Sequence, residues 1–367
     1  MIVNQDVLII GGGVVGAACA RAMAQAGRTV RLIERGTRGG EGWPASAGLL
    51  APQVEARADD PLLDLGLAGR EYWVEEAEVL RESVGVDVGL NPCGILQLAN
   101  GELPAEDLRS KVAWQRQQGH LCDWLDTTEV HERWPWVGSS DGALWAPRDG
   151  SLDPVRLVEA LRKDLVRLGV QIVADDITTL VREGDRVIGA AGRERYRAEH
   201  VVIAAGAWSG RIANLPRPIS VEPVRGQMVA FPWPKGVEPG IVFGRGGYLL
   251  ARGAEALCGS TQEHAGFSHD TTPEGLLCLT ERAAALCPSL AGVARARAWA
   301  GLRPGTPDGL PIIGREPSVE GLWYATGHGR SGILLAGVSA RILSRQIAGE
   351  VLLDEAEAVR PERFWNW

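Results

Sequence analysis

A chain of 367 residues is long for a single hydrophobic core and, at about 100–200 residues per domain, implies two domains. Its composition, 45% hydrophobic and 23% charged, is that of an ordinary folded protein and excludes disorder. The net charge of −8, with basic residues scattered along the chain, excludes nucleic acid as the main partner, because such binding draws on clustered Lys and Arg.

Residues 6–16 read DVLIIGGGVVG. The apolar run Val7-Leu8-Ile9-Ile10 predicts a buried parallel strand that feeds Gly11-x-Gly13-x-x-Gly16 and then an apolar-periodic helix through Ala26. Gly11 allows the tight turn, Gly13 lets the backbone approach a pyrophosphate, and Gly16 lets the helix pack closely on the strand. The phosphates then sit on the helix N-terminus. Gly27 ends the helix, and residues 29–33 predict a second strand ending in Glu34, eighteen positions beyond Gly16. An acid there suits ribose hydroxyls and favours FAD or NAD over NADP. A structural glycine turn in some other α/β unit explains the glycines but leaves Glu34 as coincidence.

Helical periodicity spans 62–83, a short strand is expected at 94–98, and a second helix at 107–118 precedes the stretch Trp134-Pro135-Trp136. Asp153-Pro154 starts a helix through Leu168, Gly169 ends it, and 170–173 follows as a strand, which reads as another α/β unit of the first domain. Residues 200–208 form a buried strand running into a small-residue turn. From 221 to 300 the texture becomes alternating, as in 226–231 and 247–251, and predicts antiparallel sheet. A last strand at 322–326 leads through His328-Gly329-Arg330-Ser331-Gly332 into a helix from 333 to about 348. The expected fold class is α/β, α+β overall. A Rossmann-like dinucleotide domain takes 1–84, 148–218 and 302–367, and a mixed, largely antiparallel-sheet substrate domain takes 85–147 and 219–301.

The six cysteines, Cys19, Cys93, Cys122, Cys258, Cys278 and Cys287, make no C-x-x-C pair and do not cluster with the six histidines, so they read as reduced, small buried hydrophobes, with no metal site expected. The first strand begins almost at Met1, which leaves no room for a cleavable leader, and no apolar run approaches the ~20 residues of a membrane span. A cytoplasmic protein without stable membrane insertion is expected. Tryptophans such as Trp73, Trp114, Trp134 and Trp145 read as packing residues.

Two further constellations carry chemistry. The strand-glycine-helix element near Ser331-Gly332-Ile333-Leu334 presents unpaired N–H groups and a positive dipole end. That feature fits the pyrimidine edge of a flavin, where negative charge accumulates on hydride uptake; a helix that merely starts after a glycine turn is the plain alternative. In WAGLRPGTPDGLPIIG, residues 299–314, Arg303 lies between an apolar strand and a Pro/Gly turn. A guanidinium launched from so constrained a backbone suits bidentate capture of a carboxylate, the plain alternative being a surface arginine on a turn.

Together these segments closely resemble the FAD-dependent D-amino-acid oxidase superfamily and, within it, the glycine oxidases of thiamine biosynthesis. The resemblance runs over nearly the whole chain through DVLIIGGGVVG, ASAGLLAPQVE, VVIAAGAWSG, PVRGQM, GSTQEHAGF, WAGLRPGTPDGLPIIG and GHGRSGILLA. It implies that Arg303 holds the substrate carboxylate and that Tyr248 and Arg330 line the substrate site. Around FAD it places Val14, Val15, Glu34, Arg35, Gly42, Trp43, Ala47, Gly48, Leu49, Ile177 and the run His328, Gly329, Arg330, Ser331, Gly332, Ile333, Leu334. Gly11, Gly13, Gly16 and Gly206 complete the expected cofactor set. Gly42 and Trp43 stand where similar proteins often carry hydroxyl residues, which puts side-chain phosphate contacts there in doubt. Gly301 stands where the related sarcosine oxidases attach flavin to a cysteine, so FAD is expected to be noncovalent.

The implied reaction is oxidation of glycine, sarcosine or D-alanine to the imino acid, hydrolysis to glyoxylate or a 2-oxo acid and ammonia, and reduction of O2 to hydrogen peroxide. It needs a fixed carboxylate and a neutral amine but no obligate general base. Tyr248 has a supporting role, and His328 is a turn residue beside the flavin rather than an acid–base group. Competing readings are a D-amino-acid dehydrogenase passing electrons to a quinone or carrier, a multi-subunit cyanide-forming enzyme, a noncatalytic FAD subunit, and a flavin domain that modifies tRNA. A homo-oligomer, a tetramer by resemblance, is expected.

Overall fold

The computed structural model describes residues 5–36, 38–58, 60–350 and 354–364. Gln5–Ile10 is the central strand of an eight-stranded sheet, with Val7, Leu8 and Ile9 fully buried because both faces are covered. Around it the order is Ile312–Arg315, Leu322–Thr326, Arg195–Ile203, Gln5–Ile10, Val30–Glu34, Gln171–Ala174. Neighbours are parallel apart from Ile312–Arg315, which runs antiparallel to Leu322–Thr326. Thr179–Glu183 and Arg186–Ala191 form a hairpin, unforeseen from the sequence, that joins through Arg195–Ile203.

On one face Val7 and Ile9 pack with the helices Val14–Gln25, Leu63–Val84, Pro154–Arg167 and Gly332–Ile347. On the other, Leu8 and Ile10 pack with Leu180, Val187 and Tyr196 from the hairpin side. Pro154–Arg167 begins where the sequence says it should: the Asp153 carboxylate accepts from the N–H groups of Val155 and Arg156, a cap worth about 1 kcal/mol.

The second sheet runs Arg297–Gly305, Glu222–Pro232, Glu255–Gly259, Gly247–Arg252, Ile241–Gly244, Ile95–Leu98, Ala143–Ala146, Asp123–Leu125. It is antiparallel except where Ile241–Gly244 meets Ile95–Leu98 in parallel. Within the stretch read as pure antiparallel sheet lies the helix Pro273–Leu286, which buries Gly275, Leu279, Ala283 and Leu286 against the sheet. The boundary expected between 301 and 302 falls inside Arg297–Gly305, which belongs to the second sheet along its whole length.

All six cysteines are free; Cys19, Cys122, Cys258 and Cys287 are buried, whereas Cys278 is exposed on its helix rather than packed. Among the described residues no helix is long and apolar enough to cross a membrane, and no group of His, Cys, Asp and Glu is arranged to hold a metal ion.

Candidate active site

The carboxyl ends of Gln5–Ile10, Val30–Glu34, Arg195–Ile203 and Leu322–Thr326 open into one cavity of about 1810 Å3 whose opposite wall comes from the second sheet. A cleft outside the carboxyl ends of parallel strands is where such sheets bind ligands. The volume exceeds the ~300–1,000 Å3 of an ordinary small-molecule pocket and suits a dinucleotide together with a small substrate.

At the dinucleotide end the glycines divide their tasks. Gly11 has φ +105°, and a Cβ there would stand 2.4 Å from the Ala204 carbonyl oxygen, so no other residue fits the turn. Gly13, Val14 and Val15 line the cavity, and Gly13 precedes the helix Val14–Gln25 with no side-chain cap, leaving its first N–H groups free for phosphate. Gly16, expected among the cofactor contacts, does not line the cavity. It lies behind the loop, where a Cβ would come within 1.9 Å of the Gly11 oxygen, and its task is packing.

Glu34 faces the cavity with its carboxylate steadied by the N–H groups of Gly12 at 2.6 Å and Gly36 at 2.9 Å. Arg35 also lines it, its guanidinium 3.8 Å over the Trp208 ring. Ile177 and Gly206 lie on the same rim.

Gly42, Trp43, Ala47, Gly48 and Leu49 line the middle of the cleft. The Trp43 ring lies 3.5 Å from the position a Cβ on Gly13 would take, so an indole fills the loop where hydroxyl groups were expected to be missing. Farther on, His328, Gly329, Arg330, Ser331, Gly332, Ile333 and Leu334 all line the cavity, and Gly332–Ile347 aims its N-terminus at it. The His328 ring is turned away: it is buried, 2.9 Å from the Ser339 hydroxyl, and burial pushes its pKa down to about 3. It is neutral at physiological pH, as a turn residue should be.

At the substrate end Arg303 projects from Arg297–Gly305 across the neighbouring strand, where Gly226 leaves room for it. Its guanidinium donates to Ser260 Oγ at 2.6 Å and to the Thr261 carbonyl at 3.1 Å, which fixes the fork while leaving further N–H groups for a carboxylate. Tyr248 Oη donates to Met228 Sδ at 3.3 Å, and burial pushes its pKa up to about 12, which keeps it a neutral donor. Arg330 is exposed toward the cavity and pairs through Nε with Glu55 Oε2 at 3.2 Å.

Glu55 lies in the segment ASAGLLAPQVE, but nothing in its local sequence assigns it a part. Burial raises its pKa, and Arg330, Lys111 and Arg303 oppose the rise. It ends the turn Pro52–Glu55, whose Gln53 and Val54 N–H groups are held by the buried Asp149 carboxylate at 3.1 and 3.0 Å, with Arg70 2.8 Å away on the other oxygen. Ser260, Gly226 and Trp208 were likewise not assigned. No local pattern marks them, because each acts on a residue far away in sequence.

Residues 6–346 match the family model described as DAO, FAD dependent oxidoreductase. The chain belongs to this family. A glycine oxidase of Pseudomonas aeruginosa is 32% identical over 96% of this chain and 98% of its own length. The bifunctional protein ThiO/ThiG of a Synechocystis species is 34% identical over 98% of this chain, which spans 54% of that protein. The crystal structure of glycine oxidase from Geobacillus kaustophilus superposes with a TM-score of 0.91 at 31% identity, covering 97% of this chain and 98% of that one.

The cofactor of this family of oxidoreductases is FAD, and the cleft fits it. Two helix N-termini and a glycine turn that a Cβ would fill line one cavity, with an acid at the end of the second strand. The residues at Gly11–Val15 and Glu34 would hold its adenosine diphosphate part, and those at 328–334 its ring.

Proposed function

We propose that this chain oxidises glycine and small related amino acids, sarcosine and D-alanine among them, to the imino acid, which water converts to glyoxylate or a 2-oxo acid and ammonia. Bound FAD supplies a two-electron acceptor for the Cα–H hydride, and O2 takes the electrons on to hydrogen peroxide. The observation that carries the reading is the Arg303 guanidinium, immobilised by Ser260 and Thr261 in the same cavity as the dinucleotide cleft.

Arg303 binds the substrate carboxylate as a charge-assisted fork and so fixes the neighbouring Cα; Tyr248 walls the pocket and offers a neutral hydroxyl. Arg330, steadied by Glu55, supplies a second positive charge. The N–H groups opening Gly332–Ile347 meet negative charge at the far side of the cleft. Trp43 and the backbone at Gly42 take the place of hydroxyl groups beside the phosphates.

The similarity to glycine oxidases and to the ThiO/ThiG protein supports a place in thiamine biosynthesis. We retain noncovalent FAD, a cytoplasmic location, a homo-oligomer, and a division into an FAD-binding and a substrate-binding domain as parts of this reading. Anaerobic titration with glycine should bleach the flavin absorbance, and the same mixture in air should form one hydrogen peroxide per glyoxylate. Bleaching without peroxide in air, relieved by a quinone, would replace the oxidase by a dehydrogenase; no bleaching by any small amino acid would end the assignment.

A further inference from the structure

The turn Gly11-Gly12-Gly13 is held at both polar atoms of its middle residue. The Gly12 N–H donates to Glu34 Oε2 at 2.6 Å, and the Gly12 carbonyl accepts from Arg162 Nη2 at 3.1 Å. The N–H groups that open Val14–Gln25 are then the ones left for a ligand. Arg162 reaches the turn from Pro154–Arg167, 150 positions away in sequence. That helix packs with Val14–Gln25 through Leu157, Leu161 and Leu165, and its buried Asp164 accepts from Arg21 Nε at 2.7 Å, so the guanidinium is launched from a fixed base. The Trp43 ring lies against it, with 5.6 Å from Cζ to the ring centroid, a cation–π contact.

Charge balance sets Arg162 apart from the other arginines at this end of the cleft. Arg35 stands 3.6 Å from Glu41 and Arg38 pairs with Asp176 at 2.7 Å, so each is offset by an acid that lines the cavity beside it. Glu34 and Asp175 add two more carboxylates to the same wall. Arg162 is half-buried, and among the described residues it forms an ion pair with none. A guanidinium whose partners are a carbonyl oxygen and an indole face keeps its positive charge unbalanced. Gly42 and Trp43 bring no hydroxyl to this loop that could serve in its stead.

We infer that Arg162 is a positioning residue of the cofactor site, which pins the glycine turn through Gly12 and supplies the positive charge that balances the diphosphate of FAD. Arg162 does not line the cavity, so it acts through the turn and through its field rather than by touching the cofactor. The diphosphate brings two negative charges to a wall rich in carboxylates, and the dipole of Val14–Gln25 offers only about half a positive charge against them. A half-buried guanidinium at the turn adds a whole one, in surroundings that screen it less than water does. Recognition of the phosphates thus depends on Arg162, whereas recognition of the nucleoside is left to Glu34.

The test uses the FAD-loaded enzyme. Dilution titrations followed by the fluorescence that FAD regains on release give its dissociation constant, and displacement by ADP and by adenosine separates the phosphates from the nucleoside. Arg162→Gln should raise the dissociation constants of FAD and ADP together by about tenfold and leave that of adenosine within about twofold. Added salt should weaken FAD binding more steeply in the wild type than in Arg162→Gln. Arg162→Lys, which keeps the charge but loses the fork, should fall between the two. Unchanged FAD affinity in Arg162→Gln overturns the inference, as does an equal loss for ADP and adenosine, the mark of a turn that has merely collapsed. If Arg162→Gln does not fold, Arg162→Lys decides: its preference for ADP over adenosine must fall below that of the wild type, and an unaltered preference overturns the inference. A wild type that binds no FAD would instead strike the cofactor assignment.

Discussion

Gly226 lacks a side chain because Arg303 occupies its space: a Cβ there would stand 2.3 Å from one guanidinium nitrogen and 2.4 Å from the other. Those atoms end a flexible side chain, so Gly226→Ala should fold and bind FAD while pushing the guanidinium off Ser260. We expect KM for glycine to rise about tenfold or more, the value of a charge-assisted pair, with the flavin spectrum unchanged; normal KM would show that the fork is not fixed from this side. Arg303→Lys should be at least as damaging, since an ammonium cannot reproduce the planar fork, and steady-state kinetics at saturating FAD will measure it. The sequence singles out Arg303 as lying between an apolar strand and a Pro/Gly turn. In the structure the strand Arg297–Gly305 continues through Pro304 and Gly305, so it is strand pairing and the contacts of its guanidinium that constrain it. Gly226, Ser260 and Glu55 are not singled out, since their partners lie 77, 43 and 275 positions away and leave no local signature.

Elements that begin and end on local signals were read closely: the helix expected through Leu168 runs Pro154–Arg167, and that expected from 333 runs Gly332–Ile347. Pro273–Leu286 was overlooked although Thr272 caps it and Pro273 opens it, because its apolar residues sat inside a region dominated by period-two alternation. How an element is anchored is harder to foresee. Gly332–Ile347 is tied down by the Trp73 indole N–H, which donates to the Ile333 carbonyl at 2.7 Å, and by the His328–Ser339 contact.

The second tie has a pH signature. An unfolded histidine takes a proton near pH 6.5, whereas folded His328 resists until about pH 3. In that interval the unfolded chain binds the extra proton, so this stability is present above pH 6.5 and is lost as pH falls toward 3, at up to about 1.4 kcal/mol per pH unit. Urea unfolding of the wild type should therefore weaken between pH 6.5 and 5 by roughly 1.5 kcal/mol more than that of His328→Gln. Parallel pH slopes would show that the ring is not held neutral.

In the whole molecule, three separated stretches supply the first sheet and two supply the second, and one cavity is walled by both. The sequence disclosed the alternation of textures but not that Arg297–Gly305 stays in the second sheet, since strand pairing is decided by partners such as Glu222–Pro232 rather than by its own residues. Because both sheets wall that cavity, FAD that binds there only in the folded chain is expected to stabilise their association. At a free concentration 100 times its dissociation constant the gain is about 2.7 kcal/mol, which for a chain of this size raises the melting temperature by several degrees. No cysteine lines the cavity among the described residues, and a Cβ at Gly301 would stand 2.5 Å from Ala45 Cβ, so a side chain in that place has no room. Acid precipitation should therefore release all the yellow colour into the supernatant, and stripped protein should melt lower and regain its melting temperature as FAD is titrated back. A yellow pellet would reveal a covalent bond, and a melting temperature indifferent to FAD would mean that the cofactor does not join the two sheets.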